Sequence, residues 1–121
     1  MGDFSVEVKF TDSYFEKLGL KNNPSVEDAL DKAIDHTIHD GENIARREAP
    51  IDTGYLRRSI HKRKPRKCEG ELRSRAHYWV YLQYGTSKMS ANPFVTRTAR
   101  KVAPKMKEYT LQELKNNGVL D

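Results

Sequence analysis

Ala49-Pro50-Ile51-Asp52-Thr53-Gly54-Tyr55-Leu56-Arg57-Arg58-Ser59-Ile60 is the stretch on which the fold turns, because it joins two different periodicities. Behind it, Val26, Ala29, Leu30, Ala33, Ile34, Ile38, Ile44 and Ala45 recur at helical spacing. Ser25 suits the N-cap, with Glu27 and Asp28 in the first turn, where the helix dipole favours acids. Pro50 disfavours the α conformation in the residue before it, so the helix is predicted to stop near Ala49. Asp52 can accept backbone N–H bonds in an Asx-turn, and Gly54 can take positive φ. With Thr53 between them they lead the chain out of the helix, and Leu56 opens an extended segment. Gly41, inside the helix, costs about 1 kcal/mol relative to Ala and marks a kink or a close contact.

Working outward, residues 56–64 and 71–84 read as strands, with the bases of residues 62–67 and Glu69-Gly70 connecting them. Upstream, Phe4, Val6, Val8 and Phe10 alternate with polar residues, the period of a half-buried strand. Asp12 or Ser13 can cap a short helix through Leu20, and Asn22-Asn23-Pro24 is a turn. Downstream, Gly85-Thr86-Ser87-Lys88 opens a loop that runs to Asn92-Pro93. A second amphipathic helix follows on Val95, Ala99, Val102, Met106, Leu111 and Leu114, with a potential kink at Pro104 and an end at Asn117-Gly118. The expected fold class is α+β: one domain over residues 1–121, an antiparallel β-sheet with a long helix and a C-terminal helix packed on it.

Hydrophobic residues make up 36% of the 121 and charged residues 32%, a lean core that points to stability shared with neighbouring subunits. No apolar run approaches the ~18 residues of a membrane span. The first ten residues lack the basic and apolar regions of a cleaved signal, and Val6 stands where N-myristoylation wants Ser or Thr. A single cysteine, Cys68, excludes a disulfide framework and makes a reducing cytoplasm the default. Residues 1–49 hold 11 acids against 6 bases, and residues 50–121 hold 6 acids against 16 bases. That asymmetry suits head-to-tail stacking of copies or an anionic partner.

The residues that could carry chemistry do not assemble into a set. His36 and His39, with Asp35 and Asp40 beside them, make half of a metal site and lack a third ligand. His61 and His77 read as surface histidines among bases rather than an acid/base pair. Cys68 lies between bases that would lower its pKa, without the rest of a catalytic set. Gly85-Thr86-Ser87-Lys88 lacks phosphate-loop spacing. The expectation is no enzyme, no cofactor and no metal. The run from Arg57 to Arg75 holds nine Lys or Arg residues without interleaved aromatics, so it fits phosphate contact or an acidic neighbour better than sequence reading.

Two further segments stand with the opening one: Tyr78-Trp79-Val80-Tyr81-Leu82-Gln83-Tyr84-Gly85-Thr86 and Met89-Ser90-Ala91-Asn92-Pro93-Phe94-Val95. The first, read as a strand, is apolar on both faces and so is expected to be covered on both. The order and spacing of all three resemble the minor-tail, or tail-completion, family of lambdoid siphophages and prophages, over about residues 26–106. In that family's pattern Pro50, Asp52, Thr53, Gly54, Leu56, Gly85, Thr86, Pro93 and Phe94 are the structural motif. Trp79 stands where the family often has Ala, and Gln83 where it often has Glu. The resemblance implies a virion component, monomeric in the host cytoplasm before assembly. It also implies a hexameric ring in the particle, with other neck or tail proteins as partners and no membrane. Lys62, Arg63, Lys64, Arg66, Lys67, Tyr78, Trp79 and Tyr81 are the expected assembly surface, with non-specific DNA contact open to the bases. The alternative is a small basic nucleic-acid-binding protein.

Overall fold

A computed structural model of the chain describes residues 4–9, 24–49, 54–74, 76, 79–88 and 90–119. The elements run β1 (Phe4–Lys9), α1 (Pro24–Glu48), α2 (Tyr55–Ser59), β2 (His61–Arg66), β3 (Glu69–Ser74), α3 (Trp79–Tyr84) and α4 (Phe94–Asn116). The fold is α+β, an antiparallel sheet with the long helix and the C-terminal helix packed on it. Strand order is β1-β3-β2, and the register sets Val6 opposite Leu72 and Lys62 opposite Leu72 from the other side. The predicted short helix through Leu20, Phe10, and the turn residues Asn22, Asn23, Pro50, Asp52 and Thr53 lie outside the described residues.

The long helix starts at Pro24, one residue before the predicted cap, where proline's missing N–H has no intrahelical partner to lose. It ends at Glu48, as the proline at position 50 predicts. Gly54 follows with φ +67°, and five residues of helix, α2, stand where a strand is predicted from Leu56. Strand β2 begins only at His61.

The hairpin β2–β3 is as expected, but its turn is tighter. Lys62 to Arg66 are strand residues, and only Lys67-Cys68 makes the turn, with Cys68 at φ +64°. Arg63 pairs with Glu71 and Arg66 with Glu69, so Lys64 and Pro65 together oppose Gly70. That is a bulge, and a bulge on an outer strand is where a sheet tolerates proline. Gly70 is therefore a buried strand residue rather than part of a connection. A Cβ there would stand 2.5 Å from Ile38 Cγ2 and 2.9 Å from Ile34 Cγ2, so glycine lets β3 lie directly on α1. Gly41 is the reciprocal contact from the helix side, 2.8 Å from Leu72 Cδ1 and 3.3 Å from Val102 Cγ2 by the same measure.

Helix α4 runs antiparallel along α1. Its buried stripe is Phe94, Thr98, Val102, Thr110 and Leu114, whereas Ala99 and Leu111, expected inward, are exposed. The threonines tolerate burial because Thr98 and Thr110 donate to the carbonyls of Phe94 and Met106 at 2.7 and 2.6 Å. Pro104 sits within the helix at an exposed position, and the helix continues past it to Asn116. Gly118, at φ +73°, ends it in a Schellman motif: Gly118 N–H donates to Lys115 O and Val119 N–H to Leu114 O.

Among the described residues, three apolar clusters fill the space between sheet and helices. Val26, Ala29, Leu30 and Leu114 form one end, with Cys68 and Val119 against them. Ile34, Ile38, Ile44, Leu72 and Val102 form the middle. Ala45, Ala49, Leu56, Ile60, Ala76 and Phe94 form the other end, with Trp79, Leu82 and Val95 packed on it.

Candidate interaction surface

The third cluster brings together motif residues that the sequence places far apart. Leu56 follows the first turn, Trp79 and Leu82 come from α3, and Phe94 opens α4, yet Leu56 and Phe94 share one cluster with Ala45 and Ala49 at the end of α1, and Trp79 and Leu82 pack against it. Gly85 ends α3 with φ +78°, and its N–H donates to Tyr81 O at 2.9 Å. Thr86 is exposed and its hydroxyl accepts the Lys88 N–H at 3.2 Å. Pro93 is the N-cap of α4.

The aromatic segment is a helix, not the strand predicted for residues 71–84. A six-residue stretch that is apolar or aromatic at every position but Gln83 satisfies either period. Here Trp79 and Leu82, three apart, turn onto the core, while Tyr81 and Tyr84, also three apart, face outward at 51% and 68% exposure. Tyr84 leans on Trp79 with ring centroids 6.4 Å apart. Tyr78, expected on the assembly surface, lies outside the described residues.

Gln83 holds this helix to the next. Its Oε1 accepts the Val95 N–H at 2.9 Å, and its Nε2 donates to Thr96 Oγ1 at 2.7 Å. Val95 lies in the first turn of α4, where backbone N–H groups have no helical acceptor. The Gln83 side chain thus works inside the chain as a cap. Arg97 completes the corner by donating to the Glu48 carboxylate at 2.8 Å and to Asn92 Oδ1 at 2.6 Å.

The basic hairpin lies against the acidic helix of its own chain. Lys64 Nζ sits 2.7 Å from Asp31 Oδ1 and 2.8 Å from Asp35 Oδ1, and Lys67 Nζ lies 2.7 Å from Asp28 Oδ1. Lys62 donates its backbone N–H to Glu42 at 2.6 Å, and its Nζ lies 3.2 Å from His39 Nδ1. Arg63 pairs with Glu71 across the strands at 3.9 Å, and Arg66 has no ion pair among the described residues. Burial works against the charged Asp31, but the bonds from Lys64 and the Cys68 N–H outweigh it and hold its carboxyl below the usual range. Burial likewise opposes the Lys64 ammonium, and its two carboxylate partners raise it nonetheless.

Two further acids of α1 are also engaged. Glu48 meets Lys101 and Arg97, and Asp40 accepts the Tyr109 hydroxyl, which is pushed up to about 12 by that bond. Part of the sequence asymmetry is thus cancelled within the fold, by Lys64 and Lys67 on Asp28, Asp31 and Asp35 and by Arg97 and Lys101 on Glu48. Cys68, expected to be acidified by its flanking bases, is pushed up to about 11, first by burial and then by Asp31. Its Sγ donates to Glu27 O at 3.3 Å. His36 lies 3.2 Å from Glu113 and stacks on Tyr109, and His61 Nδ1 lies 3.0 Å from Ser59 O. His77 is outside the described residues. Among the described residues no group of three or more His, Cys, Asp or Glu is placed to hold a metal ion, and no helix is long and apolar enough to cross a membrane.

Sequence reasoning missed a cluster at the end of α1. Arg46, Arg47, Arg57 and Arg58 line an open cleft of about 410 Å³. Arg57 Nε donates to Ala49 O at 3.1 Å, and Arg46 donates twice to Ile60 O, at 3.1 and 2.8 Å. Two arginine pairs eleven residues apart in sequence meet only because the chain reverses at Gly54, so the signal needed the turn geometry. Comparison with protein-family models, with curated proteins and with solved structures finds no match to this chain.

Proposed function

We propose that the protein is a non-enzymatic structural subunit of a tailed-phage or prophage neck, one copy of a hexameric ring that completes the tail or joins it to the head. In this reading it waits as a monomer in the host cytoplasm and ends in the virion. The observation that carries it is the convergence of Leu56, Trp79, Leu82 and Phe94 in one apolar cluster at the end of α1. The three motif segments serve one architectural corner, as expected of residues that shape a building block rather than a reaction. On the outside of that corner Tyr81 and Tyr84 present rigid aromatic surface, the side-chain type that anchors protein interfaces. The exposed bases Arg63 and Arg66, on the hairpin away from that corner, suit a second contact with a neighbour, where charge steers encounter and weakens with salt.

The test is sedimentation and negative-stain imaging of the purified protein, alone and with phage tail tubes. Rings capping the tubes are expected. The double variant Tyr81→Ser, Tyr84→Ser should melt like the parent and fail to form rings. Tubes left uncapped by the parent protein would remove the neck reading.

A further inference from the structure

The geometry points to a second binding surface, distinct from the aromatic corner: the four-arginine cleft at the end of α1 binds the phosphate backbone of nucleic acid without reading its sequence. Four guanidinium groups line one cleft, and the carboxylate bonded to any of them among the described residues is Glu42, 3.5 Å from Arg46. Converging like charges raise the local potential and favour an anion.

Two of the four are fixed before any ligand arrives. Arg57 is tied to Ala49 O, and to Arg47 O at 3.4 Å, while Arg46 is tied to Ile60 O. Fixing the forks lowers the entropy cost of binding. Planar guanidinium forks match phosphate oxygens two at a time.

A polymer fits better than a single ion. A second cleft of about 590 Å³ shares Arg46 and Arg47 and adds Lys105, so the cations continue along the helix. The acid in that second cleft, Asp40, is occupied by Tyr109. Five carboxylates of α1 that a second copy would bring, Asp28, Asp31, Asp35, Glu42 and Glu48, are already bonded within their own chain. No aromatic lines either cleft among the described residues, so base stacking has no platform there.

The test uses fluorescence anisotropy with short labelled DNA duplexes of two unrelated sequences, on the protein in solution, and so reads independently of ring formation. The side chains of Arg47 and Arg58 make no hydrogen bond or ion pair among the described residues, so Arg47→Gln, Arg58→Gln spares the fold, as a melt will verify. The control is Arg63→Gln, Arg66→Gln on the hairpin, which removes equal charge. The parent should bind both duplexes equally, and the cleft variant should lose about tenfold or more, with its salt slope reduced by about 2. The hairpin variant should stay within about twofold of the parent by the same additive logic. Equal loss in both variants, or no binding by the parent at about 50 mM salt, would overturn the proposal. So would poly-glutamate competing as well as DNA, which would make the natural partner an acidic protein.

Discussion

Gly70 and Gln83 are single positions whose chemistry follows from their neighbours. A methyl group on Gly70 would meet the branch methyls of Ile34 and Ile38, which cannot yield without moving α1 from the sheet. Gly70→Ala is expected to cost about 1–3 kcal/mol in urea unfolding, the range for an overpacked core. Gly118→Ala meets no atom within 4 Å but keeps φ at +73°, and should cost about 1–2 kcal/mol. For Gln83 the issue is an acceptor. Gln83→Leu strands the Val95 N–H and should lose about 1–3 kcal/mol. Gln83→Glu still accepts that N–H, and a negative charge at the start of α4 is favourable, so its melt should stay near the parent's. Positive φ at Gly54 and Gly85 was legible because turns restrict residue type. The burial of Gly70 was not, because a glycine after a charged run reads equally as loop.

At the scale of elements, charge decides what holds what. Glu48 ties α1 to α4, and the bonds from Lys101 first and Arg97 second lower its pKa against the cost of desolvation. Its stabilising contribution is therefore full above its ordinary value of 4.5 and lost as pH falls through the lowered folded value. Urea midpoints measured from neutral pH down through the carboxylate range should fall less steeply in Glu48→Gln than in the parent. Lys64 bridges Asp31 and Asp35, two like charges one helical turn apart on α1. Lys64→Ser should cost about 1 kcal/mol at low salt, and the gap should narrow as salt rises. Arg66→Ser should stay within about 0.5 kcal/mol of the parent. The helices α1 and α4 were legible from their periodicity. Helix α3 was not, since it is fixed by Gly85 at its C-terminal end and by Gln83 bonding onward to the first turn of α4 rather than by polarity. The stripe of α4 was misread at Ala99 and Leu111 because the threonines that replace them inward look polar in sequence.

Across the whole molecule, the division into acidic and basic parts is legible in sequence, and part of it is met inside one chain. Sequence separation between Asp31 and Lys64 suggests partners on different copies, but the bulge at Lys64-Pro65 bends the hairpin onto its own helix. Arg47 and Arg58 are among the bases left without an ion pair among the described residues, and they lie where α1 ends. The same embrace closes the outer side of β2, where Glu42 accepts the Lys62 N–H and Arg46 occupies the Ile60 carbonyl. Amyloid-type growth needs a row of open main-chain groups to template the next strand. On this flank the template is already read by the chain's own side chains, and Pro65 offers no N–H further along. Cross-β propagation from β2 would first have to displace the Glu42 and Arg46 side chains, so pairing of a foreign strand on this flank competes with bonds the fold already makes.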